Sequence, residues 1–468
     1  MPLPPGASAM RVIPLFTALA MASSACPAPT DEHPEPQDDP CSFARGDAGS
    51  GLILCEPEAA AGYTLLAPNG TRSAALIDGA GRVVHRWESA WTPGMATYLG
   101  PDGVLIRAGR GGAGLNPGLG GQPGAGGVIE AIDWDGELLW SWAVSDDQLL
   151  AHHDIEPLPN GNVLALVWER VSEEEALALG RDPATVDAAG LLFDALHEID
   201  ASSGETVWRW SSRDHLVQDL DASAPDFALP VDRRGRIDLN ATGADEADWL
   251  HFNGLDHEPT TDLIVVSARA LDEVWVIDHG TSTEGAAGPA GDLLFRWGRP
   301  DVWGGPGAQQ LYGQHDPTWL GPDRLLVFDN GFGRPGGLHS RLVEIDVPLV
   351  DGRPALPDPL EAAPEPSWTW TAEPARDFVA PLMSGAQRLP DGSTLITDGP
   401  RGRAFRIDRD GEVVWDYLNP LHADGVLAWD EEPVGGGTAL FLARHYAADG
   451  PELQGLDLSS GPLLVAEP

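Results

Sequence analysis

The residues whose types and spacing could do chemistry are His152, His153, His251, Arg269 and His315. His315 sits at the entrance of a short apolar strand in GQHDPTWLGPDRLLVFDNG, residues 313–331. The pattern occurs upstream as HHDIEPLPNGNVLAL, residues 152–166, where His153-Asp154 aligns with His315-Asp316 and Leu158 with Leu320. A third copy, SGAQRLPDGSTLIT at 384–397, keeps Leu389 in register but has Ser384 in place of the histidine. His251 lies in DWLHFNG, and the apolar run that follows ends in Ser267-Ala268-Arg269. An imidazole can act as nucleophile, proton carrier or metal ligand. A guanidinium presents paired donors that match a tetrahedral oxyanion. Histidines at matching repeat positions with an arginine nearby therefore point to an anion site. Read singly, each His-Asp pair could merely fix a turn.

Two other chemistries compete. Three histidines can hold zinc, iron or copper, but no His-x-His or Cys-x-x-Cys pair is present and Arg269 would repel a cation. A serine hydrolase is weaker still, because there is no Gly-x-Ser-x-Gly elbow and Ser384 has no identifiable base. His152 and His153 are adjacent, so on a strand they point to opposite faces and only one faces a shared site. Alignment on His315-Asp316 favours His153, and alignment on His251-x-Asn253 favours His152. His257, His279, His339, His422 and His445 read as surface or structural residues.

A repeated scaffold must bring these positions together. A unit of strand, Asp, turn, strand and Trp recurs at 75–87 (ALIDGAGRVVHRW), 131–142 (AIDWDGELLWSW), 197–210 (HEIDASSGETVWRW) and 405–417 (FRIDRDGEVVWDY). Two further copies begin at 275 and 343 and reach Trp297 and Trp370 after Gly-rich and Pro-rich insertions. The copies lie roughly 55 to 80 residues apart. Between them runs a second hairpin with a Pro-Asn-Gly or Pro-Asp-Gly turn, at 99–105, 158–166 and 389–396. Two hairpins per unit make a four-stranded sheet, and six sheets predict an all-β, six-bladed β-propeller with the tryptophans packed between blades. In that fold the strand entrances of different blades converge on one end of the central channel. The 56 glycines and 42 prolines argue against long helices. One short helix is expected after Ser172, whose Glu175 completes a capping box, with Gly180 beyond its end. Residues 211–248 read as a long acidic loop on the rim.

The charge balance narrows the partners. Net charge is −44, and the chain has no lysine, which excludes a phosphate-loop or Schiff-base lysine. So acidic a surface repels nucleic acid and anionic lipid headgroups. Arg11 followed by an apolar run and small residues predicts a signal peptide over 1–25. Ala22-Ser23-Ser24-Ala25-Cys26 resembles a lipoprotein cleavage site, which makes Cys26 a lipidation candidate. Cys41 and Cys55 then pair most simply as a disulfide in an oxidising compartment. Residues 26–55 are expected to be a Pro-rich acidic tether and 56–468 the propeller. No second apolar run reaches membrane-spanning length, so membrane association would come only through a lipid anchor.

The series HHDIEPLPNGNVLAL, DWLHFNG, VVSAR, RWGRP, GQHDPTWL and FDNG resembles the bacterial arylsulfate sulfotransferases, from about residue 62 to 456. The resemblance implies a periplasmic six-bladed propeller. It implies transfer of a sulfuryl group from an aryl sulfate to a phenolic acceptor by a ping-pong route through a sulfated histidine. No nucleotide sulfate donor and no cofactor are implied. Carried over by motif, His315 would be the nucleophile. His251, Asn253 and Arg269 would hold the sulfate oxygens, and His152 or His153 would supply the remaining donor. The family's N-terminal β-rich dimerisation domain has no counterpart here, so a monomer is expected, periplasmic or on the cell surface. The alternative is a non-catalytic surface propeller that binds a partner or a glycan.

Overall fold

The computed structural model describes residues 39–46, 49–111, 119, 121–241, 247–431 and 436–465. The expected signal peptide, Cys26 and half of the expected tether lie outside the described residues.

The chain builds six antiparallel blades in a propeller arrangement. In blades 2, 3 and 6 the Pro-Asn/Asp-Gly hairpin joins the inner strand to the second, and in every blade the Asp-turn-Trp unit joins the third strand to the fourth. Blade 3, for example, runs Leu149–Pro157, Val163–Val171, Leu191–Ile199 and Thr206–Ser211 from the channel outward. Middle strands are apolar on both faces because each face meets a different neighbour. In Leu263–Ala268, Ile264 and Val266 pack toward blade 3, whereas Leu263 and Val265 pack toward blade 5.

Six tryptophans mark the seams. Each lies on the fourth strand of one blade, counted from the channel, and donates its indole N–H to a carbonyl in the connection before the fourth strand of the next. The pairs are Trp87 to Asp133 (3.1 Å), Trp142 to Ala201 (3.0 Å), Trp210 to Gly291 (2.7 Å), Trp297 to Pro364 (2.9 Å), Trp370 to Gly411 (3.1 Å) and Trp415 to Gly79 (2.9 Å). The last returns to the first blade, so one bond type crosses every seam. Each contributes about 1 kcal/mol net beyond the apolar burial of its ring.

Two strands close the ring. Leu440–Tyr446 is the inner strand of the first blade, paired with Tyr63–Pro68. Gly51–Cys55 pairs with Val413–Leu418 as a fifth, outermost strand of the sixth blade. The expected tether boundary at residue 55 is therefore corrected: Leu52 is buried in the seam between the last and first blades, which draws residues 51–55 into the fold. The Cys41–Cys55 disulfide pins this strand.

The helix is Glu173–Ala178, with both halves of the Ser172–Glu175 capping box formed. The acidic stretch 211–248 is not wholly irregular, because Leu216–Val217 pairs in parallel with Ile237–Asp238. Leu216, Ile237 and Leu239 anchor it on the core between blades 3 and 4.

Candidate active site

The inner strands carry bulges at their entrances. In blade 3, Ala151 pairs with Val167 and Ile155 with Ala165, which leaves His152, His153 and Asp154 out of register. In blade 4 the break falls between Phe252 and Leu255, and in blade 5 between His315 and Thr318. His153 (φ 47°), His251 (φ 52°) and Asp316 (φ 47°) take left-handed backbone there. Such residues cost about 1–2 kcal/mol each. Bulges re-aim side chains, and these turn three histidines into one end of the channel.

His153, His251, Arg269 and His315 line a single cavity of about 740 Å³. The rings of His153 and His251 meet edge to face, with centroids 4.8 Å apart. Arg269 stands just after the second strand of blade 4. Arg110, at the end of the second strand of blade 2, lines the same cavity. Met95, Leu382, Met383 and Phe441 add an apolar wall. Among the described residues no tryptophan lines it.

The polarity of His315 follows from its partners. Its Nδ1 lies 2.8 Å from Asn330 Oδ1 and 3.2 Å from Gly313 O, both acceptors. Asn330 is oriented by donating its amide to Ala380 O (2.7 Å) and Met383 O (2.9 Å). Nδ1 therefore carries the proton. Nε2 is left as a lone pair toward the cavity, with no partner among the described residues. Burial, and then the charge of Arg269, bring the His315 pKa down to about 3. The imidazole is neutral at any ordinary pH.

His251 is set up differently. Its Nδ1 faces Asp248 Oδ2 at 2.6 Å, and the pair lines the cavity wall. Burial pushes the Asp248 carboxyl up, but His251 at hydrogen-bonding distance more than offsets this and holds it below its ordinary value. A carboxylate behind an imidazole fixes its tautomer and supports an added proton on the far nitrogen.

Of the adjacent pair, His153 reaches the cavity and His152 lies behind it, 2 % exposed and stacked on Trp168 at 4.1 Å. Their Nδ1 atoms face one another at 2.9 Å. His152 Nε2 is 3.1 Å from Asp194 Oδ1 but poorly aligned for a hydrogen bond. Burial brings the His152 pKa down to about 3 and that of His153 well below its ordinary value. Gly124 lets the covering loop approach, since a Cβ there would sit 2.1 Å from the His153 ring. Asn253 does not line the cavity. It is fully buried and donates to Gln314 O at 3.0 Å, holding the strand that presents His315. His152 and Asn253 are thus placed to position neighbours, not to touch a ligand. Ser384 is buried as well, with its hydroxyl bonded to Leu382 O and Gly399 N.

The aspartates after the histidines staple blades together. Asp154 accepts from Leu255 N (3.0 Å) and Tyr98 Oη (2.8 Å). Asp316 accepts from Ala386 N (2.8 Å) and from Arg444 (2.6 and 3.2 Å). In each case the backbone donor belongs to the inner strand of the next blade. Gly385 permits the second staple, because a Cβ there would lie 2.0 Å from Asp316 Oδ2.

Sequence reasoning missed Asp248, Asn330 and Arg110. Arg110 had a signal: it ends the second strand of blade 2 as Arg269 directly follows that of blade 4, each closing an apolar run. Asp248, three residues before His251, had a weaker one. Asn330 stands in the quoted FDNG, but nothing local told that its side chain reaches back to His315 across a hairpin.

Residues 124–341 match the model of the arylsulfotransferase (ASST) family. Over that segment, a little under half of its length, the chain resembles the arylsulfotransferases. The matched segment contains His152, His153, Asp248, His251, Arg269, His315 and Asn330. No curated protein sequence matches the chain. Solved structures resemble it only loosely. A Bacteroides caccae protein of unknown function is 14% identical, covering 77% of this chain and 94% of its own, with a TM-score of 0.44. A periplasmic gluconolactonase from Pseudomonas aeruginosa is 14% identical, covering 75% and 94%, with a TM-score of 0.37. A virginiamycin B lyase from Staphylococcus aureus is 9% identical, covering 78% and 87%, with a TM-score of 0.35.

Proposed function

We propose that this arylsulfotransferase-like chain moves a sulfuryl group from an aryl sulfate to a phenol through a sulfated His315. The observation that carries the reading is the tautomer of His315, with its proton locked on Nδ1 by Asn330 and a bare Nε2 beside Arg269. In the first half-reaction Nε2 attacks sulfur, the N–S bond forms, and the S–O(aryl) bond breaks with its electron pair leaving on the phenolate. His251, backed by Asp248, gives that oxygen a proton from Nε2. In the second half an acceptor phenol returns a proton to His251 as its oxygen attacks sulfur, and the N–S electrons go back to His315. Arg269 and Arg110 balance the charge on the sulfuryl oxygens, and donors pre-aimed at developing charge lower the barrier. His153, kept neutral by burial, bounds the other side of the anion. The wall of Met95, Leu382, Met383 and Phe441 suits the aryl ring.

Export fits the same reading. A disulfide persists in an oxidising compartment, no helix among the described residues is long and apolar enough to cross a membrane, and the N-terminal pattern ending at Cys26 would deliver the chain there, anchored by lipid. The test is a chromogenic aryl sulfate with a phenol acceptor. Turnover should depend on the acceptor. Without acceptor, a peptide containing His315 should gain the mass of one SO3 group. Full turnover by His315→Asn would refute the nucleophile. Absence of turnover across aryl sulfates, with no labelled peptide, would favour a binding propeller.

A further inference from the structure

A second cluster of histidines stands at the opposite end of blade 4, where nothing in the proposed transfer uses it. His257 lies near the end of the inner strand Phe252–Glu258, Asp262 in the turn that follows, and His279 just after the third strand Glu273–Asp278. Six residues of extended chain separate His257 from His251, about 20 Å. His257 Nε2 is 2.9 Å and His279 Nδ1 is 2.7 Å from the same oxygen, Asp262 Oδ1. All three ligand atoms lie within 4.8 Å of one another.

The placement of His279 between two carboxylates is the telling feature. Its Nδ1 faces Asp262, and its Nε2 faces Glu198 Oε2 of blade 3 at 3.2 Å. A neutral imidazole has one N–H and cannot donate to two carboxylates. A metal ion on Nδ1 would leave the single N–H of the ring on Nε2, where it meets Glu198. Glu198 is already committed, since its Oε1 accepts from Asn160 Nδ2 (2.9 Å) and Asn162 Nδ2 (2.6 Å), which aims Oε2 at the ring. A carboxylate fixed on the far nitrogen of a histidine is the usual outer partner of a metal-bound imidazole.

We propose that His257 Nε2, His279 Nδ1 and Asp262 form a binding site for a divalent transition-metal ion, with Glu198 orienting His279. Two nitrogens and one carboxylate oxygen suit zinc, and by the same chemistry nickel, copper or cobalt, whereas magnesium and calcium prefer all-oxygen shells. Ligand atoms around tetrahedral zinc lie about 3.3 Å apart, so small rotations of the two rings away from Asp262 would open the site. The histidine side chains are 8 % and 10 % exposed and Asp262 is 48 % exposed, which leaves water the remaining coordination position and the ion a route in. The site would join three segments of blade 4 and, through Glu198, tie them to blade 3.

The experiment uses full-length protein stripped with chelator and desalted, titrated with Zn2+ by calorimetry and by thermal unfolding. One equivalent should bind, and the thermal midpoint should rise. His257→Gln and His279→Gln should each abolish that equivalent, and Glu198→Gln should weaken it about 10–100-fold. Metal-free melting of each variant shows whether it is folded. Failure of the wild type to bind zinc stoichiometrically would overturn the proposal. So would undiminished binding by a folded His279→Gln. Loss of the equivalent in His251→Gln would instead put zinc in the cavity and also overturn it. None of these outcomes depends on sulfuryl transfer.

Discussion

Replacing His315 with glutamine should tilt the pH dependence of stability, by an amount that follows from the buried groups along the channel. His315 and His152 each have a native pKa of about 3 against an ordinary value of 6.5, chiefly through burial. Between those values the unfolded chain binds the proton and the native state does not. Each histidine therefore makes stability rise with pH by about 1.4 kcal/mol per unit. Asp154 and Asp256 have the opposite sign. Burial lifts both to about 7 from 3.8, so between those values the native state holds the proton and the unfolded chain does not. Each makes stability fall with rising pH at the same slope. Over about pH 4 to 6.5 the four contributions offset one another. His315→Gln removes one rising contribution. Relative to wild type, the variant should gain about 2 kcal/mol on going from about pH 6 to about pH 4.5. Asp154→Asn should do the reverse. The assay is urea unfolding at a series of pH values, read as the difference in slope, so a constant offset from lost packing does not matter. Parallel curves for wild type and His315→Gln would refute the claim that His315 is held neutral in the native state.

Three further outcomes follow from the same geometry. Asn330→Ala removes the acceptor that fixes the His315 tautomer, worth about 1–1.5 kcal/mol, so kcat should fall about tenfold with little change in KM; a changed thermal midpoint with unchanged kcat would assign Asn330 a structural role alone. Arg269→Gln should lower kcat/KM about 100-fold and weaken competitive inhibition by inorganic sulfate in parallel, and unaltered inhibition would show that the arginine does not meet the anion. Cys41→Ser should cost about 3 kcal/mol by the chain-entropy estimate and raise hydrogen exchange first in residues 51–55, the strand that the disulfide pins.

The fold was legible because it is written repeatedly. The Asp-turn-Trp hairpin and the Pro-Asn/Asp-Gly hairpin are local patterns, and local turn chemistry decides them. Trp87, Trp142, Trp210, Trp297, Trp370 and Trp415 could be seen to recur, and their recurrence implied a shared seam. That each indole would bond a carbonyl of the next blade was not visible, because the acceptors sit in connections of unequal length. The ring closures were also hidden. Leu440–Tyr446 and Gly51–Cys55 each pair with strands from the other end of the chain, and no local signal reports such a pairing.

For the site, the sequence by itself determined the candidates: His153, His251, Arg269 and His315 carry their repeat register with them. Tertiary structure alone decided which side chains meet. Period-two reasoning could not choose between His152 and His153, because the bulge at 152–154 breaks the period at the residues in question. The stretch Asp154 to Asp316 spans two blades, and only ring closure brings its ends to one channel. The state of His315 was likewise a tertiary matter. Burial and Arg269 remove its charge, and Asn330 selects its tautomer, none of which is a property of the histidine or of its neighbours in sequence.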